Sequence, residues 1–232
     1  MSASARRHDP RSFDHLPVVF NRFAELVGGP LNDYLAKRLP PSGERAVDLG
    51  CGTGQHAWQL SRVFGEVLAV DLSRPMLLYA QHHRSAANIH YQQRDLLDIT
   101  PDRDGVFDFV LSTHTLHHLP DLSSVLQQIR SLARPGGEVV LIDNVDPRHQ
   151  APRRWFRAEA RRALRADLLH HRRPIREAIE LYRLSTHPGW LDHLATDVFL
   201  GSDEFEAVYG AAFPGAEFTP MYRTRAMHWH GE

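Results

Sequence analysis

A single cysteine, Cys51, stands among 232 residues, which excludes an internal disulfide and any cysteine-rich metal site. Neither sign of charge is in excess. The 27 lysines and arginines meet 28 aspartates and glutamates, and a formal net charge of −1 gives no general pull toward nucleic acid or an anionic membrane. Long apolar runs are missing as well: no stretch approaches the roughly 20 residues that cross a bilayer. The opening M-S-A-S-A-R-R-H-D-P-R carries arginines with no apolar segment behind them. There is no internal repeat and no low-complexity tract. A soluble, cytoplasmic protein is the expectation. A chain of this length buries roughly 70–75 % of its unfolded surface, enough for one sizeable domain with an appendage.

The most informative stretch is residues 45–57, R-A-V-D-L-G-C-G-T-G-Q-H-A. Ala46, Val47 and Leu49 suit a buried parallel strand, and Gly50, Gly52 and Gly54 then predict a tight turn with its backbone N–H groups left free. Over 56–63 the apolar spacing becomes helical, so the turn would deliver the positive end of a helix to whatever lies above the glycines. A dinucleotide fingerprint wants its third glycine three residues after the second, where Gln55 stands. Asp48, two residues before the first glycine, would repel a pyrophosphate but hold an ammonium group. A zwitterion such as an amino acid fits better. The alternative is a strand-turn-helix whose glycines serve geometry only.

Around this turn the chain alternates strand and helix. Phe13, Leu16, Phe20, Phe23, Leu26 and Val27 recur at helical spacing within 13–39, interrupted by Gly28, Gly29 and Pro30, with a second helix expected over 31–39. This aromatic helix packs against the sheet or closes over a pocket. A strand over 66–71 ends in Asp71, placed to accept from two ribose hydroxyls; the competing role is an N-cap for the next helix, with Ser73 as rival. A helix over 75–83 and a strand over 88–92 lead to R-D-L-L-D, where Asp95 either accepts from an exocyclic amine or is a solvated turn residue. The fourth strand spans 107–112. It runs into T-H-T-L-H-H-L-P-D, so His114, His117 and His118 lie at its carboxyl end, where open α/β sheets bind ligands. General acid/base use suits these imidazoles. Metal ligation is not expected, because no carboxylate or cysteine completes the set locally. A helix over 121–133 and a Pro-Gly-Gly turn lead to a fifth strand over 138–143. Right-handed crossovers then give a parallel sheet whose crevice opens between the first and fourth strands.

Past Asp146 the character changes. A helix over 152–169 carries Arg153, Arg157, Arg161 and Arg165, and Arg172, Arg173 and Arg176 continue the basic run. This is a solvated face on a covering helix, a reader of an anionic substrate, or an RNA contact. H-P-G-W at 187–190 reads as a turn, 203–212 as a helix, and 216–220 with 222–229 as a closing hairpin.

Taken in order, V-D-L-G-C-G-T-G, Asp71, R-D-L, F-D-F-V-L-S-T-H-T-L-H-H-L and R-P-G-G resemble the class I S-adenosylmethionine-dependent methyltransferases over about 13–143. L-H-H-L-P-D is similar to the subgroup acting on small molecules. The resemblance implies a doubly wound Rossmann-like α/β sheet, mostly parallel, with an antiparallel C-terminal edge strand and helical caps. It divides the chain into cap helices (1–44), cofactor core (45–145), arginine-rich insert or substrate lid (146–200) and C-terminal helix with final strands (201–232). It places Asp48 and the turn Gly50, Cys51, Gly52 and Gly54 at the cofactor's methionine end, Asp71 at the ribose and Asp95 with Leu96 at the adenine, with Leu72 and Ser112 as further cofactor contacts. S-adenosyl-L-methionine is the implied cofactor, S-adenosyl-L-homocysteine its product, and no metal is implied. His118, His114 and His117 are the implied catalytic residues, His118 or His114 deprotonating an O- or N-acceptor. Phe20, Phe23, His114 and Arg157 are the implied acceptor contacts, the acceptor being a small, acidic or phosphorylated molecule. Phe20 and Asn21 stand where many relatives have Tyr-Asp. Nucleic acid and membrane are disfavoured as partners, and monomer and homodimer stay open. The rival readings are an RNA methyltransferase, a nicotinamide dehydrogenase, and a cofactor-binding protein that transfers no methyl.

Overall fold

A computed structural model describes residues 14–231; Phe13 and the arginines before it lie outside them. Two short helices come first, α1 (Pro17–Val27) and α2 (Gly29–Ala36). Gly28 alone separates them, and Pro30 sits in the first turn of α2, so the second helix begins and ends earlier than the 31–39 expected.

The core then alternates: β1 (Gly43–Leu49), α3 (Gln55–Leu60), β2 (Phe64–Asp71), α4 (Arg74–His83), β3 (Ile89–Gln93), the one-turn α5 (Pro101–Asp104), β4 (Phe107–Thr113), α6 (Leu122–Leu132) and β5 (Ala133–Asn144). Three further helices follow, α7 (Arg153–His170), α8 (Ile175–Ser185) and α9 (Pro188–Leu194), then α10 (Ser202–Ala212) and the hairpin β6 (Glu217–Met221) and β7 (Thr224–His230). The seven strands lie in the order β3-β2-β1-β4-β5-β7-β6. β1 pairs in parallel with both β2 and β4, so the strand order reverses beside β1 and opens a crevice at its carboxyl end. β7 is the antiparallel strand, zipped to β5 from Glu138 against His230 to Asn144 against Thr224, with β6 outside it.

Apolar side chains fill both faces. Val47, Leu49, Val110, Leu126, Ile129 and Phe213 centre one layer under α6 and α10; Ala46, Leu60, Val67, Leu77 and Phe109 centre the other under α2, α3 and α4. The strand centres are buried on both sides, as parallel strands covered by helices must be.

Residues 146–200 leave this sheet and return to it. Val145 bridges Leu200, and the Asp146 amide donates to the Leu200 carbonyl at 2.9 Å, so the excursion is pinched at its base. The Pro-Gly-Gly stretch at 135–137, expected as a turn, lies within β5, and two further features differ from the reading of the sequence. H-P-G-W opens α9 rather than a turn, because proline is tolerated in a helix's first turn. The second is α8, unforeseen, which buries Ala178 and Leu181 on a narrow stripe among charged residues.

Candidate functional site

The crevice is floored by the turn after β1. Gly50, Gly52 and Gly54 all have left-handed backbone, φ 78°, 51° and 79°. A Cβ at Gly50 would stand 2.3 Å from the Thr115 hydroxyl, and one at Gly54 2.5 Å from that of Tyr91. At Gly52 the nearest group is the Phe20 ring at 3.6 Å, so this glycine faces the open side. The expectation of free amides is corrected: Gly50 and Cys51 both donate to the Val70 carbonyl at 2.9 Å, Gly54 to the Cys51 carbonyl, and Gly52 to Asp71. The loop therefore offers shape rather than a row of donors.

What it lacks in donors it has in buried negative charge. Asp48 is 1 % exposed, and neither carboxylate oxygen meets a donor at full hydrogen-bond geometry, the Ala57 amide giving only a weak contact. Burial, then the charge of Asp71, push its carboxyl up to about 7; the Ala57 amide, the one backbone group favouring the charged form, is the weakest of the three influences. Such an orphaned pair of oxygens fits a cationic group, and the ammonium end of an amino acid meets that requirement. Asp71 closes the same corner. Its Oδ2 accepts from Gly52 and its Oδ1 from the Ser73 amide, both at 2.8 Å, while burial raises its pKa. Ser73, not Asp71, caps α4, through the Met76 amide. Asp71 instead ties the glycine turn to the end of β2 through these two amides.

The other expected cofactor residues are spread along the same edge. Leu72, next to Asp71, is 43 % exposed. The half-buried Asp95 carboxylate accepts from the Leu97 amide and so caps a single 3₁₀ turn, Leu96–Asp98. The Leu96 side chain packs into the core, and Leu97 is the exposed one. Cys51 is buried, its thiol pushed well above the usual range by burial, so it contributes backbone and filling rather than a thiolate. The Ser112 hydroxyl donates to the Leu49 carbonyl at 2.8 Å, tying β4 to β1 beneath the crevice.

α1 lies over the turn. The buried Asn21 carbonyl accepts from the Arg84 guanidinium at 2.6 Å and from the Thr53 hydroxyl at 3.4 Å, while Arg84 also donates to the Thr53 carbonyl. Phe20 and Phe23 pack on Trp190 of α9, ring centroids 6.0 and 5.1 Å away. Arg22 holds Glu180 of α8 by two bonds, 2.7 and 2.9 Å. The cap and the insert thus form one cover above the glycines. Arg157 is exposed on α7, and the structure does not bring it to the other site residues. Arg84, Thr115, Tyr91 and Trp190 were not legible in the sequence, since their roles come only from how β1, α1 and α9 converge.

The three histidines separate. His114 follows β4 with a left-handed backbone (φ 52°), its amide on the Ile142 carbonyl; burial, chiefly, holds its imidazole neutral, with Asp143 and Asn144 pulling the other way. Beside it, His56 is driven down to about 3 by burial and its Nδ1 meets the Thr113 hydroxyl at 3.1 Å. His117 belongs to another cluster. Its Nδ1 lies 2.5 Å from Asp143, which also accepts the His117 amide at 2.8 Å. Burial works against its charged form, but Asp143 and then Asp197 outweigh it and raise its pKa. His118 and His193 flank Asp197, which burial lifts to about 7. The carboxylate that the local sequence does not supply arrives from the end of the insert.

Comparison with known proteins agrees with this geometry. Residues 47–141 match the family model described as a methyltransferase domain. A ubiquinone biosynthesis O-methyltransferase of Xanthomonas axonopodis pv. citri is 32% identical over 111 residues, 47% of this chain and 46% of the relative; the chain thus matches less than half the length of that relative. Among solved structures, one described as a DhpI-SAH complex superposes with a TM-score of 0.67 at 20% identity, covering 100% of this chain and 99% of that one. An S-adenosylmethionine dependent methyltransferase from Mesorhizobium loti gives 0.59 at 19% identity, covering 88% and 99%. At these identities the structural likeness speaks for the fold.

Proposed function

We propose that residues 47–141, which match a methyltransferase domain, bind S-adenosyl-L-methionine in the manner of the class I enzymes, and that the chain transfers its methyl group to an oxygen of a small, largely apolar acceptor. The observation that carries the reading is Asp48: a buried carboxylate with neither oxygen satisfied, under a glycine turn and beside Asp71.

When bound, the cofactor supplies a methyl carbon on a sulfonium, open to in-line displacement. The protein's part is placement. Asp48 takes the ammonium, Asp71 the ribose hydroxyls, and Gly52 leaves room because no side chain stands there. Leu72 and Leu97 cover the adenine, with Asp95 at its amine. Phe20, Phe23 and Trp190 wall the acceptor side and exclude water. Holding the two reacting atoms roughly 3–3.5 Å apart and aligned accounts for most of the expected acceleration. His114, neutral and at the end of β4, is the group that takes the acceptor's proton. An apolar wall and a neutral base favour a ring hydroxyl over the acidic acceptor that the arginines alone suggest. The name of the Xanthomonas relative, an O-methyltransferase, points the same way.

The test is calorimetry followed by turnover. S-adenosyl-L-homocysteine should bind at micromolar strength and NAD should not. With labelled cofactor, phenolic acceptors should gain label, and His114→Ala should lower kcat while leaving cofactor affinity intact. Binding of NAD in place of S-adenosyl-L-homocysteine would overturn the reading; label on tRNA instead of small phenols would redirect it.

A further inference from the structure

Opposite the glycine turn, the short 3₁₀ turn Leu116–His118 after β4 meets the end of the insert. There His117, His118 and Asp197 each bring a ligand atom within 4.8 Å of the others. His117 Nε2 stands 3.8 Å from Asp197 Oδ2, and His118 Nδ1 3.6 Å from Asp197 Oδ1. Zinc sits about 2.0–2.2 Å from such nitrogens and oxygens, so ligands sharing one tetrahedral ion are about 3.3–3.6 Å apart. The two histidine–carboxylate separations are within a few tenths of an ångström of that range, and the two imidazoles, within 4.8 Å, would draw closer around an ion.

A second feature has the same meaning. His117 is held from behind by Asp143, whose carboxylate accepts from Nδ1 at 2.5 Å and from the backbone amide at 2.8 Å. That bond keeps a proton on Nδ1 and sets Nε2 on the side of Asp197, where an ion would take the place of the Nε2 proton. A carboxylate backing a histidine whose other nitrogen faces a ligand set is the usual support of a metal-bound imidazole. His193 Nε2, 3.5 Å from Asp197, supports that carboxylate from another side. The side chains are 1–14 % exposed, so the cluster is built into the interior and not scattered on a surface. A cavity of about 300 Å³ lined by His117, His118, Asp143, Asp197 and Tyr209 adjoins it.

We propose that His117, His118 and Asp197 form a binding site for a divalent transition-metal ion of the zinc class, with Asp143 orienting His117 and one coordination position directed at the cavity. Two imidazoles and one carboxylate select borderline cations such as Zn²⁺, Co²⁺ or Fe²⁺ over Mg²⁺ and Ca²⁺, which prefer all-oxygen shells. The ion would join the core, at the end of β4, to the insert, at Asp197. Zn²⁺ makes an added tie between two segments that are far apart in sequence. The inference stands independently of the methyl-transfer reading, since no residue of the glycine turn enters it.

The test uses the full chain, stripped with chelator, titrated with Zn²⁺ by calorimetry and with Co²⁺ by visible absorption. One equivalent should bind at micromolar strength or tighter, with Co²⁺ showing the intense bands of a four- or five-coordinate site. Asp197→Asn and His118→Gln should each weaken Zn²⁺ at least 100-fold, and Asp143→Asn about 10- to 100-fold. A cooperative thermal unfolding transition and far-UV circular dichroism, measured in parallel, report that each variant is folded. The competing cluster Glu138, His228 and His230 is controlled by His228→Gln, which should change nothing. No stoichiometric binding, binding abolished by His228→Gln, or binding indifferent to Asp197→Asn would each overturn the proposal.

Discussion

Asp48 is a single side chain on which both ligand recognition and the pH response of the apoprotein turn. Its carboxyl sits at about 7 in the folded chain against 3.8 as a free group. Between those values the folded protein keeps a proton that the unfolded chain has lost, so stability falls as pH rises through the window. His56 acts in the opposite sense. Its imidazole is at about 3 against 6.5, the unfolded chain binds the extra proton, and stability rises with pH from about 3 to 6.5. The slopes oppose each other in the acid range, and above pH 6.5 the falling slope of Asp48 is left, with Asp197, also lifted to about 7, adding to it in parent and variant alike. Asp48→Asn, which cannot titrate, should therefore gain thermal stability relative to the parent as pH goes from about 5 to about 8. A Tm difference that stays level across this range would show that Asp48 does not titrate there. The same variant should bind S-adenosyl-L-homocysteine on the order of 10- to 100-fold more weakly, the worth of one charge-assisted bond. Asp48 and Asp71 are legible in the sequence because each ends a strand near a glycine turn. Asp143 and Asp197 are not, since what they touch is fixed by the meeting of β5, the 3₁₀ turn and the insert.

At the scale of the element, the strand-turn-helix separates two uses of glycine. Gly54 has no room: a methyl group would meet the Tyr91 hydroxyl at 2.5 Å and the Ala80 Cβ at 2.8 Å, on a backbone with φ 79°. Gly52 has room, with only Phe20 at 3.6 Å, and carries the φ penalty alone. Gly54→Ala should cost roughly 2–4 kcal/mol, strain plus overpacking, seen as a lowered denaturant midpoint. Gly52→Ala should cost about 1–2 kcal/mol and instead abolish S-adenosyl-L-homocysteine binding, because its methyl enters the space above the turn. Equal losses of stability with affinity retained at Gly52 would contradict this division. Elements of the alternating core can be read from the chain because each carries one period and one terminator, as at Asp121, whose side chain accepts from Ser124 to start α6. α8 and α9 escape such a reading. α9 opens on Pro188-Gly189, a pair that also makes turns, and α8 buries too few apolar residues among its charges for the period to stand out.

Over the whole molecule, the cap helix and the insert act as one cover although 125 residues, 28–152, separate the end of α1 from α7. Arg22 and Glu180 join them by a bidentate pair, and the Arg173 guanidinium donates to the Leu26 carbonyl at 3.1 Å. Trp190 fills the space between Phe20 and Phe23, and on the other side Asn21 and Arg84 fasten α1 to the glycine turn. A ligand that settles on the turn is therefore felt first by α1 and through it by α8 and α9. Hydrogen exchange should show residues 17–27 and 175–194 gaining protection together when S-adenosyl-L-homocysteine binds, in proportions unaltered by ligand concentration. Each of Arg22 and Glu180 is 40% exposed, so the pair is a salt-sensitive latch and not a source of large stability. Arg22→Glu and Glu180→Arg should each uncouple the two segments, raising the KM for acceptor with little change in cofactor affinity. The double reversal should restore the coupling, because the pair is re-formed with its charges exchanged. If α1 gains protection while 175–194 does not, or if the double variant behaves as the sum of the singles, the cover is two independent parts and the acceptor wall is assembled by something other than this contact.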